Sequence, residues 1–186
     1  TYQDIPEHII DQLARNRERN AMIAETYVAN RQKYGKTIIF ADRWYQCEQL
    51  REMLRQRKVR ADVIYSHVDA DPGSTDARNR RAKDENAKVL EAFHRNKLDV
   101  LINVRMLTEG TDVPDVQTVF LTRQTTSQIL LTQMVGRALR GPRFGGTEVA
   151  HIVSFVDNWK QIINWAEYDQ LAESIPDETI PEYGKR

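Results

Sequence analysis

The 186 residues suffice for one full domain with its own core, and 40% hydrophobic with 29% charged residues describe an ordinary soluble globular chain. Lys+Arg 27 against Asp+Glu 27 gives a formal net charge of zero, so global charge lends nucleic-acid binding no support and any such support must be local. The single Cys47 excludes an internal disulfide and a multi-cysteine metal site, and these residues hold no apolar run long enough to span a bilayer and no signal-peptide pattern.

The start at Thr1 fits a piece of a longer chain. Asp4-Ile5-Pro6-Glu7 reads as a helix start, with Asp4 or Ile5 near the cap, Pro6 in the first turn and Glu7 on the helix dipole. Ile9, Ile10, Leu13, Met22, Ile23, Tyr27 and Val28 then recur at broadly helical spacing up to Tyr34-Gly35. The polar run from Arg15 to Asn20 interrupts that pattern and leaves room for two helices. Thr37-Ile38-Ile39-Phe40-Ala41 is a short apolar run expected to form a buried strand. Residues 43–57 place Trp44, Cys47, Leu50, Met53 and Leu54 on one helical face, and Ala61–Tyr65 reads as a second strand. Residues 68–75 are loop chemistry, and 76–95 a charged helix with a sparse apolar face of Ala82, Val89, Leu90 and Phe93. Further strands are expected at Val100–Val104, around Val116 and Val119–Leu121, and at Val149–Val153. Helices are expected over 127–140 and 157–172, with an extended tail or linker after that. Short apolar strands alternating with helices predict an α/β fold with a mainly parallel sheet covered on both faces. Sites in such sheets gather at the carboxyl ends of the strands.

Two stretches carry chemistry. In Gln133-Met134-Val135-Gly136-Arg137-Ala138-Leu139-Arg140, helical spacing puts Gln133, Arg137 and Arg140 on one face. Two guanidiniums there repel each other, no carboxylate lies within the same two turns, and phosphate suits the fork geometry of arginine. This points to an arginine-finger element, which stabilises charge on a transferring phosphoryl group. The second stretch, Val100–Asp115, is a buried strand that opens into a polar loop holding Thr108, Glu109, Gly110 and Asp112. Gly110 permits a close approach that a side chain would block, although taken alone the run fits a simple glycine turn equally well.

Taken together, these stretches resemble the C-terminal RecA-like domain of superfamily 2 helicases and translocases. Thr108-Glu-Gly-Thr-Asp112-Val-Pro-Asp115 is similar to that family's motif V, Gln133–Arg140 to motif VI, and Lys36–Ala41 with the helix to Leu50 to motif IV. Asn103-Val104-Arg105-Met106-Leu107-Thr108-Glu109-Gly110 is most similar to the branch holding helicase subunits of type I and type III restriction enzymes, which bacterial repair helicases share. The resemblance covers roughly residues 35–156. It implies a three-layer, P-loop NTPase-like domain over 35–172, a packed helical segment over 1–34 and a tail or linker over 173–186.

The resemblance also implies roles. Arg137 and Arg140 would reach the γ-phosphate of ATP held by another RecA-like domain, with Arg140 the first choice for the finger. Gln133 would orient the attacking water or the phosphate. Glu109, Gly110 and Asp112 would line the same cleft, with Asp112 near the ribose. Nucleic acid would lie along Asp42 and Arg43 after the first strand, His67 after the second, and Asn103, Val104 and Thr108 around motif V. A motor grips phosphates without reading bases, a task suited to small polar groups and backbone amides. Local readings stand beside these: His67 as a turn residue, Arg43 as a helix starter paired with Glu48 or nearby groups, and Arg78–Lys83 as a solvated helix face. Two departures weaken the match: Arg105 stands where relatives carry glycine, and Arg123-Gln124-Thr125-Thr126-Ser127 lacks the usual proline and lysine.

Gly35-Lys36-Thr37 imitates the end of a Walker A motif, but Asn30 stands where the first glycine belongs and the tripeptide precedes a strand instead of opening a helix. No Asp-Glu pair follows an apolar strand as a magnesium-binding Walker B motif requires, and the loop carboxylates Asp69 and Asp71 are assigned no metal. The chain thus reads as half of an ATPase. ATP and Mg2+ would belong to the full-length protein, with the metal held by the other domain. Expected partners are DNA, that N-terminal RecA-like domain and restriction or modification subunits, with no membrane and a cytoplasmic location. The competing reading is a nucleotide-independent nucleic-acid-binding module that kept the fold, and an unrelated doubly wound enzyme ranks last.

Overall fold

The architecture is that of a computed structural model, which describes residues 6–64, 83–104, 115–122 and 151–155. The elements run α1 (Glu7–Arg15), α2 (Arg17–Ala29), α3 (Arg31–Tyr34), β1 (Thr37–Phe40), α4 (Trp44–Gln56), β2 (Ala61–Ile64), α5 (Lys83–His94), β3 (Val100–Asn103), β4 (Thr118–Leu121) and β5 (His151–Ser154). Among the described residues the five strands form one sheet in the order β2-β3-β1-β4-β5, and every pairing is parallel.

The sheet is buried on both faces because its central strands are apolar at nearly every position, with Thr37, Asn103 and Thr118 the buried polar exceptions. β1, β3 and β4 are buried along their whole length, as parallel strands with helices on both sides must be. Successive side chains alternate between two cores. Ile39 and Ala41 join Val63, Ile102 and Phe120 under α2 and α4, with Ile23, Tyr27, Cys47, Leu50 and Leu54. Ile38 and Phe40 join Leu101, Val119 and Leu121 under α5, with Val89 and Phe93. The expected α5 face is therefore present at Val89, Leu90 and Phe93, with Asn86 also buried on it.

The first helical stretch divides at Asn16. Its backbone N–H closes on Leu13 O at 3.2 Å, and its side chain caps α2 by accepting from Arg19 N at 2.9 Å. A side-chain oxygen at this position satisfies one of the four orphan N–H groups of a helix start. Pro6 precedes α1 as its cap residue instead of lying inside the first turn. This suits a residue with no N–H to donate. The polar run from Arg15 to Asn20 thus holds the break between two helices: Arg15 ends α1, Asn16 caps α2 and Arg17 opens it. Its Arg19 and Asn20 are buried on the same face as Ile23, Ala24 and Tyr27.

The amino edge of the sheet is closed by polar contacts. Gly35 turns α3 into β1 at φ 57°, and a Cβ there would stand 1.6 Å from Gln117 Oε1, so the position requires glycine. Thr118 Oγ1 donates to Tyr34 O at 2.7 Å, which satisfies a carbonyl at the end of α3. Lys36 Nζ lies 2.9 Å from both carboxylate oxygens of Asp115 and 4.7 Å from the Phe93 ring centroid. The lysine of the Walker-like tripeptide is thus neutralised at the amino edge.

Asp99 makes a second such contact. Arg60 donates to it from Nη2 at 2.7 Å and from its backbone N–H at 3.1 Å, and Arg31 Nη2 adds a contact at 3.4 Å. The Arg60 side-chain bonds, joined by its backbone N–H and the two positive charges, hold the Asp99 carboxyl below its ordinary range against the opposing effect of burial. A depressed folded-state pKa gives stability that is complete above the ordinary value of 3.8 and is lost as pH falls through the folded value. Asp99→Asn is therefore expected to lower the unfolding temperature at neutral pH, with the gap to wild type narrowing in acid. A gap that is the same at both pH values would mean the carboxylate charge contributes nothing.

Candidate functional site at the carboxyl edge of the sheet

The register brings the strand ends level. Phe40 lies opposite Asn103 and Leu121, Ile64 opposite Asn103, and Leu121 opposite Ser154. The chain leaves β1 towards β2 on one side of the sheet, but leaves β3 towards β4 on the other. Neighbouring strand ends with oppositely directed exits are the usual place for a ligand in such sheets. Asp42 and Arg43 stand at the end of β1, and Asn103 and Val104 at the end of the adjacent β3. Four nucleic-acid candidates are therefore brought to one place. His67, Thr108, Glu109, Gly110, Asp112, Gln133, Arg137 and Arg140 lie outside the described residues.

The four play different parts. Ala41 N donates to Asn103 O at 2.8 Å, which extends the β1–β3 ladder past the strand end. Asp42 N–H donates to Gln46 Oε1 at 2.8 Å, so a residue in the first turn of α4 reaches back to fix the loop. Asp42 Oδ2 lies 3.2 Å from Thr122 Oγ1, and the same hydroxyl lies 2.8 Å from Phe40 O. The Asn103 side chain is fully buried; its Nδ2 donates to Ile39 O at 3.2 Å, and its Oδ1 has no hydrogen-bond partner among the described residues. Val104 is buried in the core under α4, and its N–H donates to Ile64 O at 3.3 Å. A nucleic-acid contact at Asn103 or Val104 would therefore fall to the backbone.

Arg43 pairs with α1 and not with Glu48. Its Nη2 donates to Glu7, its Nε lies 3.9 Å from Asp11 Oδ1, and its Nη1 donates to Asp42 O at 3.0 Å. Glu48 pairs instead with Arg51, three residues on along α4. The reason is geometric. Arg43 precedes α4 in extended backbone, so its side chain leaves the helix face on which Glu48 lies. Asp11 also accepts from Tyr45 Oη, and Arg15 stacks 4.1 Å from the Tyr45 ring centroid. Burial opposes ionisation of Asp11, but the hydrogen bonds from Tyr45 and Arg15 and the charges of Arg15 and Arg43 outweigh it, and its pKa lies below the ordinary value.

Several residues that shape this edge escape a sequence reading. Asn20 is fully buried; its Nδ2 donates to Ala14 O at 2.9 Å and Gln49 Oε1 at 2.6 Å, and its Oδ1 accepts from Gln46 Nε2 at 3.2 Å. A chain of hydrogen bonds thus runs from α2 through Gln46 to the Asp42 backbone. Arg19 is 2% exposed; its Nη2 donates to Thr122 O and lies 3.3 Å from Phe155 O. Burial lowers its pKa, and the charge of Asp42 opposes that shift. The available signal is periodicity, because Arg19 and Asn20 stand four residues before Ile23 and Ala24 on the apolar face of α2. Among the described residues, no group of three His, Cys, Asp or Glu side chains is placed to hold a metal ion, and no helix is long and apolar enough to cross a membrane.

Comparison with known proteins agrees with this architecture. The family described as the helicase conserved C-terminal domain matches residues 17–142. The chain is 26% identical over 149 residues to the Saccharomyces cerevisiae protein named "Putative ATP-dependent helicase IRC3", covering 79% of this chain and 19% of that one. It thus spans about a fifth of that relative's length. The C-terminal domain of the DEAD-box protein Dbp5 superposes with a TM-score of 0.56 at 17% identity, over 85% of this chain and 81% of that one. The "fragment structure of a putative HsdR subunit of a type I restriction enzyme from Vibrio vulnificus" superposes with a TM-score of 0.58 at 18% identity, over 81% of this chain and 29% of that one. With its parallel sheet and two helical layers, the fold is the RecA-like one of helicase C-terminal domains. The chain belongs to the helicase conserved C-terminal domain family.

Proposed function

We propose that this chain is the second motor domain of an ATP-dependent DNA helicase or translocase acting in restriction-modification or DNA repair. It completes an ATP site whose phosphate cradle and Mg2+ ligands belong to an N-terminal RecA-like domain. The observation that carries the reading is the placement of two segments in the topology. The end of β3, next to β1, leads directly into the segment holding Thr108, Glu109, Gly110 and Asp112. The end of β4, next to β1, leads into the segment holding Gln133, Arg137 and Arg140. Both segments begin at the edge where α/β sheets bind ligands.

In this reading Arg140 and Arg137 present guanidiniums to the γ-phosphate, where they offset charge developing during transfer. Gln133 orients the attacking water, and Glu109, Gly110 and Asp112 line the nucleotide cleft. Asp42, Arg43, His67, Asn103, Val104 and Thr108 face the nucleic-acid backbone. Arg43 exchanges its contacts with Glu7 and Asp11 for phosphate when nucleic acid binds. Lys36 takes no part in holding phosphate, since Asp115 neutralises it at the opposite edge of the sheet.

The test compares the full-length protein with the 186-residue segment. DNA is expected to stimulate ATP turnover by the full-length protein, and the segment alone is expected to show neither tight ATP binding nor turnover. Robust turnover by the segment would contradict the shared site. DNA binding by the full-length protein with no ATP turnover would favour an inert binding module that kept the helicase fold.

A further inference from the structure

Arg19 is the one charged side chain among the described residues that is almost wholly buried, at 2% exposed. Burying an arginine is costly, and an apolar residue of similar volume would usually serve stability as well or better. What the guanidinium reaches is therefore informative. Nη2 donates to Thr122 O and lies 3.3 Å from Phe155 O, the carbonyls just beyond the ends of β4 and β5. The last rungs of the ladder are Thr122 N to Phe40 O at 3.3 Å and Phe155 N to Leu121 O at 3.1 Å. Past those rungs, among the described residues, the carbonyls of Thr122 and Phe155 meet the Arg19 guanidinium.

Thr122 is the shared node. Its hydroxyl lies 3.2 Å from Asp42 Oδ2 and 2.8 Å from Phe40 O, while its carbonyl accepts from Arg19. The loop after β1 and the exit of β4 are thus joined through one residue, itself held by one buried guanidinium. Both contacts come from the one nitrogen Nη2, while Nε and Nη1 are buried with no hydrogen-bond partner among the described residues.

Resting on the motor reading above, we propose that Arg19 is a positioning residue that couples the nucleic-acid side of the domain, at Asp42, to the segment after Thr122 that carries Gln133, Arg137 and Arg140. Its role makes α2 part of the motor's transmission and not a passive cover of the sheet.

The experiment uses the full-length protein and measures ATP turnover with and without duplex or single-stranded DNA. The readout is the ratio of the two rates. A residue needed only for folding lowers both rates in proportion and leaves the ratio unchanged, whereas loss of coupling lowers the ratio itself. Arg19→Met keeps the unbranched apolar stem and removes the donor to Thr122 and Phe155; it is expected to reduce the stimulation ratio about tenfold, with the KM for ATP changed by less than about threefold. Thr122→Val keeps the carbonyl and removes the hydroxyl link to Asp42; it is expected to reduce the ratio in the same direction by roughly threefold. A folded Arg19→Met protein with the wild-type ratio overturns the proposal. If Arg19→Met does not fold, a wild-type ratio in Thr122→Val overturns it. Absence of DNA stimulation in the wild-type protein would overturn the motor reading and this role together, and is thereby distinguished from failure of the role alone.

Discussion

Replacing Arg140 with alanine in the full-length protein is expected to lower ATP turnover by roughly a thousandfold or more, with a much smaller effect on nucleic-acid binding. The magnitude is that of an arginine finger, which contributes about 10³–10⁵ to turnover by neutralising charge on the transferring phosphoryl group. The expectation rests on helical spacing, which groups Arg140 with Gln133 and Arg137, and on the topology that starts this segment beside β1. Steady-state turnover at saturating ATP and DNA, paired with a DNA affinity measurement, checks it. A large fall in turnover at unchanged affinity assigns the finger. Turnover equal to wild type would remove Arg140 from the role and pass it to Arg137.

The second large effect concerns stability. Phe120→Ala is expected to cost about 3–5 kcal/mol, the scale for removing a buried aromatic ring and leaving a cavity. Phe120 is fully buried at the centre of β4, facing the core under α2 and α4. Its ring meets Tyr34 edge-on at 5.2 Å and 87°, Phe155 at 5.5 Å and Tyr27 at 6.2 Å. Edge-to-face pairs of this kind add to area burial, so the loss exceeds that of an aliphatic side chain at the same site. A domain of this size holds about 5–15 kcal/mol in total, so the variant should unfold at a markedly lower denaturant concentration. A midpoint within experimental error of wild type would contradict the central place given to this ring.

How much of this was legible in the sequence depends on the range of the interactions involved. The runs Thr37–Phe40, Val100–Asn103 and Val119–Leu121 declare buried strands because each is apolar at nearly every position, which a parallel sheet under two helical layers requires. The spacing of Cys47, Leu50 and Leu54 declares the buried face of α4 in the same way. The α/β class follows from that alternation alone. At the candidate site, the residue types at 42, 43, 103 and 104 were legible as strand-end chemistry, since each follows or closes an apolar run.

Their surroundings were not legible. Arg43 finds Glu7, 36 residues away in the chain, and Arg19 finds Thr122, 103 residues away. No local spacing encodes such a pairing. Arg19 and Asn20 belong to the polar run that separates α1 from α2, and their polarity masks their place on a buried face. Their phase with Ile23 and Ala24 was present in the sequence, but the partners that make burial of a charge tolerable were not.

The sequence by itself determined the class of the fold, the strands, the helical faces and the two polar stretches that resemble the family's motifs. Each of these is fixed by side-chain periodicity or by residues close in the chain. The tertiary structure alone decided that β1 lies between β3 and β4, that the strand ends are level, and that Arg43 turns to α1 while Arg19 holds the exits of β4 and β5. The physical reason is that apolar strands of equal length are locally interchangeable. Their order is set by which helices cover which face and by how buried polar groups find partners across the whole chain.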